Sequence, residues 1–167
     1  GIAIGDFNSD GKTDLAVANS LNAAGTISIL FGRGGGTLGA PLYFAVGSDP
    51  RNMVTGDFNH DGFPDLVTAN YNDDTISVLL NNGFGAFNAP VVYTIGTQPT
   101  SIAAGFLNND LYPDIVTANS NGTISGLINN GSGAFLNAVS YHAGTTPDAG
   151  ILADLNGDHK TDIAVAN

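Results

Sequence analysis

Short apolar runs punctuated by clusters of Gly, Asp and Asn set the rhythm of this chain. Leu66-Val67-Thr68-Ala69 is almost unbroken apolar, and Leu15-Ala16-Val17-Ala18, Ile115-Val116-Thr117-Ala118 and Ile163-Ala164-Val165-Ala166 repeat it. Such runs, too short for buried helices and rich in β-branched residues, predict strands covered on both faces. A few residues on, Thr75-Ile76-Ser77-Val78-Leu79 alternates polar and apolar, as do the counterparts that begin at Thr26 and Thr123. That is the pattern of a half-covered strand. A Gly-rich turn follows. A last strand is then predicted to open with Ala40-Pro41, Ala89-Pro90 or Ala138-Val139, since a missing N–H is tolerated at a sheet edge.

The same order of signals returns about every fifty residues, and internal repetition decides the fold. Gly5-Asp6-Phe7-Asn8, Gly56-Asp57-Phe58-Asn59, Gly105-Phe106-Leu107-Asn108 and Ala153-Asp154-Leu155-Asn156 mark the four starts. The repeats run over approximately 1–49, 50–98 and 99–146, with a half-repeat at 147–167. Four short antiparallel strands per repeat, here termed A to D, with one edge left open, make a propeller blade. The expected fold is all-β: a single partial β-propeller of four-stranded antiparallel blades, about three and a half of them present. Propellers close with roughly four to eight blades. The chain is therefore expected to be part of a larger array, or to be completed by other copies or chains.

Composition sharpens this picture. Four Lys plus Arg stand against fifteen acids, all of them Asp, for a net charge of −11, and Gly reaches 23 residues. Asp suits turns and metal loops where Glu suits helices. Four cations cannot neutralise a phosphate track, so a nucleic-acid partner is excluded. No apolar run is long enough to predict a bilayer-spanning helix. Cysteine is absent, so neither disulfides nor thiolate metal sites hold the loops.

The motif that carries chemistry lies between strands A and B. Asp6-Phe7-Asn8-Ser9-Asp10-Gly11-Lys12-Thr13-Asp14 reads D-x-N-x-D-G-x-x-D, and Asp57, Asn59, Asp61, Phe63 and Asp65 repeat it around Gly62. Asp154, Asn156, Asp158, Lys160 and Asp162 form a further copy, with His159 in the glycine place. Side-chain oxygens at positions 1, 3, 5 and 9, with the carbonyls of Lys12, Phe63 and Lys160 at position 7, are the donor set of a hard cation needing six to eight oxygens. Ca²⁺ is the predicted cofactor. Position 12 holds Val17, Thr68 or Val165 where an EF-hand needs Glu, and strands flank the loop. In the third copy Asn108, Asp110 and Asp114 remain, but Phe106 stands at position 1 and Leu111 at the glycine place. That loop is expected to bind weakly or not at all, with Phe106 and Leu111 packed where an ion would sit.

These loops, the Val-Ala-Asn strand, Thr-Ile-Ser-Val-Leu-Leu and Asn81-Asn82-Gly83-Phe84-Gly85-Ala86-Phe87 resemble FG-GAP/VCBS repeats over the whole chain. The resemblance implies a calcium-bearing propeller on a secreted or cell-surface protein, of the kind found in integrin α-subunits, that adheres or binds ligands. The function expected is therefore an extracellular adhesion, ligand-binding or scaffolding module with a protein or glycan partner, and not an enzyme. A lectin with sites between blades is the alternative, suggested by Tyr43, Tyr93 and Tyr141 recurring on strand D. A calcium-assisted polysaccharide-active domain ranks below both, because it needs a basic or imidazole cluster. In a four-strand meander the A–B and C–D turns share one face, leaving the more varied B–C and D–A segments on the other. Tyr71, Asp73 and Asp74 are the candidate ligand contacts there.

Overall fold

The computed structural model describes residues 1–20 and 24–167. The first of the varied B–C segments, residues 20–25, falls partly outside the described residues. Blade one comprises β1 (Ile2–Gly5), β2 (Asp14–Asn19), β3 (Thr26–Leu30) and β6 (Leu42–Ala45), with a small ribbon of β4 (Gly32–Gly34) and β5 (Thr37–Leu38) in its C–D turn. Blade two is β7 (Pro50–Gly56), β8 (Asp65–Asn70), β9 (Thr75–Leu79) and β10 (Val91–Thr94). Blade three is β11 (Pro99–Gly105), β12 (Asp114–Asn119), β13 (Thr123–Leu127) and β14 (Val139–His142). β15 (Ala149–Ala153) and β16 (Asp162–Ala166) pair as the first half of a fourth. Every pairing is antiparallel, and within each blade strands A to D pair in chain order, so the propeller-blade meander read from the repeats is the observed architecture.

Each blade buries its faces against its neighbours. β8 and β12 are buried along their whole length, as a strand sandwiched between two other blades must be. β2, covered on one face only, alternates instead. One core cluster joins Ala3, Phe7, Ile27 and Ile29 of blade one to Met53, Leu66 and Leu79 of blade two. A second joins Phe58, Val67, Ile76 and Val78 of blade two to Ile102, Ile115 and Leu127 of blade three. Equivalent residues thus repeat equivalent contacts one blade further on.

An aromatic triad staples each seam. Phe87 meets Phe7 and Phe44 edge-on at 5.8 and 5.3 Å, and Phe135 meets Phe58 and Tyr93 at 5.8 and 5.7 Å. The register corrects one reading of strand D. Phe44 faces Ile27 as Tyr93 faces Ile76 and Tyr141 faces Ile124, whereas Tyr43 pairs with Ser28 and points to the opposite face. The recurring aromatic is therefore Phe44, Tyr93 and Tyr141, and in the two complete seams it is a packing residue. Strand D itself opens one residue after Pro41 and Pro90, at Leu42 and Val91, because a proline cannot donate the first ladder hydrogen bond.

Candidate metal centre

The A–B loop folds on its own side chains. In loop one the Asp6 carboxylate accepts hydrogen bonds from the Asp10 and Gly11 amides at 3.1 and 2.8 Å. Asn8 Oδ1 accepts from the same Asp10 amide at 3.2 Å, and Asp10 Oδ1 accepts from the Lys12 amide at 2.9 Å. Loop two repeats all four bonds with Asp57, Asn59 and Asp61. Loop four repeats them with Asp154, Asn156 and Asp158. Positions 1 and 3 therefore converge on the amide of position 5, whose own carboxylate folds back over position 7.

This turn requires two left-handed residues, where the motif advertises one. Gly11 and Gly62 at position 6 have φ of 77 and 88°, and Ser9 and His60 at position 4 have 58 and 62°. In loop four the glycine has moved: Gly157 takes position 4 at 81°, and His159 takes position 6 at 64°. The His159 amide still donates to Asp154 at 2.9 Å, so the substitution is absorbed by an exchange of glycine between the two strained positions. Loop three has neither left-handed residue. Asn108 and Asp110 keep their short-range bonds to Asp110 and Tyr112, but nothing stands at position 1 to gather them. Phe106 and Leu111 are not packed inward as expected from sequence; both lie in the loop between β11 and β12 and are 51% and 75% exposed.

The acid at position 9 is set apart from the others. Asp14, Asp65 and Asp114 are buried, and each accepts one backbone N–H per oxygen. Asp14 takes the Phe7 and Gly32 amides at 2.8 and 2.7 Å, Asp65 the Phe58 and Asn81 amides at 2.9 and 2.8 Å, and Asp114 the Leu107 and Asn129 amides at 2.8 Å each. The carboxylate thus ties the A–B loop to the C–D turn of its own blade. Its retention as Asp114 in the degenerate loop follows from this tie. Each oxygen keeps a further lone pair.

The electrostatics differ from loop to loop. Burial pushes the Asp65 carboxyl up to about 6 against the pull of its two amide donors, and the charges of Asp61 and Asp57 push the same way. In loop one the Lys12 ammonium sits 2.9 Å from Asp10 Oδ2 and holds that carboxyl below the usual range. In loop four the amides of His159, Gly157 and Asp158 lower Asp154. Among the described residues no three acidic or imidazole side chains stand grouped around one point. The gathered donors are two acids, an Asn amide oxygen and backbone, all hard oxygens, which is a chemistry that fits Ca²⁺.

On the opposite face Tyr71, Asp73 and Asp74 have local partners. The Arg51 guanidinium lies 3.2 Å over the Tyr71 ring and bonds to Asp49 at 3.0 Å. Asp73 accepts the Ser48 amide at 2.6 Å, and Asp74 accepts the Gln98 amide at 2.7 Å, so each holds one inter-blade link.

The repeat itself identifies the family. An FG-GAP-like repeat matches residues 6–68, 57–117 and 107–165, each match running from one A–B loop past the next. The chain belongs to the FG-GAP-like repeat family. No curated protein sequence matches it. Among solved structures, this FG-GAP-like chain resembles BBS1N, crystallised in complex with ARL6DN, with a TM-score of 0.68 and 15% identity over 99% of this chain and 49% of that one. It also resembles the Vibrio cholerae biofilm matrix protein Bap1, with a TM-score of 0.60 and 18% identity over 98% and 27%. The Tc holotoxin pore of Photorhabdus luminescens follows at 0.55 and 16% over 97% and 8%. The chain spans half or less of the length of these proteins, and at these identities the likeness is one of fold.

Proposed function

We propose that this chain is a calcium-rigidified β-propeller module of an extracellular protein, serving adhesion, ligand binding or scaffolding without catalysis. The observation that carries the reading is the set of loops one, two and four. Each gathers the oxygens of positions 1 and 3 on the amide of position 5, with the position-5 carboxylate beside them, in a turn that holds two left-handed residues at a cost of about 1 kcal/mol for each non-glycine one. Strain kept together with like charge is expected where a bound cation repays both. At about a hundredfold over its dissociation constant each ion adds roughly 2.7 kcal/mol to stability. That stiffens loops which have no disulfides, at the millimolar calcium found outside cells.

Partner binding is proposed for the face that carries Tyr71, Asp73 and Asp74, with a protein or glycan as ligand. Calorimetric titration of Ca²⁺ into chelator-stripped protein tests the metal. Three sites, or two strong and one weak, are expected; no binding heat together with no thermal stabilisation would leave the loops as plain turns. Screening protein and glycan partners with and without calcium then tests the module.

A further inference from the structure

We infer that metal loops one and two are each finished by the next blade, and that Asn81 and Asn129 are positioning residues for the calcium sites of these two loops. The inference rests on the calcium reading above. Asn81, 2% exposed, stands in the C–D turn of blade two, yet its Nδ2 donates to the Phe7 carbonyl of loop one at 3.0 Å. The same nitrogen donates to the Pro64 carbonyl of loop two at 3.1 Å. Asn129, equally buried, repeats this one blade on, with the Phe58 carbonyl at 2.8 Å and the Pro113 carbonyl at 3.1 Å. One side-chain amide thus clamps position 2 of one loop to position 8 of the next.

A steric contact adds to the clamp. A Cβ on Gly85 would meet the Phe31 ring at 2.5 Å and the Asn8 Cβ at 3.2 Å, and one on Gly133 would meet the Leu80 side chain at 2.7 Å and the Asn59 Cβ at 3.3 Å, so the following blade's turn packs on blade one or two beside the position-3 ligand. The contrast with loop four is direct. Phe7 and Phe58 are fully buried under the next blade, whereas Leu155 in the same place is 59% exposed, and Asp154 and Asn156 are exposed with it. Among the described residues no turn covers that loop. Buried groups that orient a metal's ligands commonly set its affinity as strongly as the ligands do. Blade docking and ion binding are therefore coupled at loops one and two.

The test is a Ca²⁺ titration of the full chain followed by amide NMR, with the Gly11 and Gly62 resonances reporting loops one and two separately. The Asn129 amide joins loops two and three, so Asn129→Ala is expected to raise the calcium midpoint at Gly62 about tenfold and leave Gly11 within twofold. The Asn81 amide joins loops one and two, so Asn81→Ala is expected to raise both midpoints. Midpoints that stay unchanged, or a Gly11 midpoint that moves together with Gly62 in Asn129→Ala, would overturn the inference by showing a role in folding alone. Should Asn81→Ala fail to fold, Asn129→Ala carries the test at Gly62 alone, with an unchanged midpoint there again overturning it. If neither glycine responds in the unsubstituted protein, the calcium reading falls and takes the inference with it, an outcome distinct from a normal titration that the substitutions do not alter.

Discussion

At the scale of single residues the A–B loop separates two jobs that its acids share in sequence. Asp114 stands in a loop that lacks position 1, yet both its oxygens hold buried amides. Asp114→Asn turns an NH2 towards one of those amides and should cost about 1–3 kcal/mol. Urea unfolding should show the same loss in calcium and in chelator. Asp57→Asn, at position 1 of loop two, should instead show most of its loss in calcium only. Backbone strain gives a second pair. Gly62→Ala forces a side chain into φ of 88° and should cost about 1 kcal/mol, while His159→Gly should regain a similar amount and tighten loop four. Thermal melts of the two variants at fixed calcium check both signs.

At the scale of elements the stability lies between blades. The triads Phe7–Phe87–Phe44 and Phe58–Phe135–Tyr93 each join a strand D and an A–B loop of one blade to the C–D turn of the next. Phe135→Ala empties such a seam and should cost about 3–5 kcal/mol, read by urea midpoint. Tyr93→Phe keeps the ring but loses the bond its hydroxyl accepts from the Phe135 amide at 3.1 Å, for about 0.5–1.5 kcal/mol. The Asn of the Val-Ala-Asn strand works at this scale as well. Asn70 donates to Thr75 and Ser77 of strand C, and Ser77 in turn accepts the Gly47 amide arriving from blade one at 3.2 Å. A motif that reads as strand composition is a buried polar bracket for the link between blades.

At the scale of the whole molecule, blades that contact only their neighbours make stability a sum of blade and seam contributions. On the proposed reading, calcium enters that sum at the loops. Stripping it with chelator should lower the melting temperature by roughly 5–10 °C for each saturated site, given about 2–4 °C per kcal/mol at this chain length. A melt that is the same in calcium and in chelator would remove the ion from the account.

The repeat, its four strands, the open edge at strand D and the oxygen-rich loops were all legible in the sequence, because each depends on local chemistry recurring at a fixed period. Apolar runs decide which strands are sandwiched, and Asp, Asn and Gly at fixed offsets decide how the loop turns. What the tertiary structure alone decided is what reaches across blades. Asn81 bonds to Phe7, a partner far away in the chain, and no periodicity marks which side chains will meet over such a separation. The one-residue offset of Tyr43 on strand D is likewise settled by ladder register, since a slip of one reverses the face a side chain presents. The outward turn of Phe106 and Leu111, and the burial of position 9 as a backbone tie, follow from where the neighbouring turns lie in space.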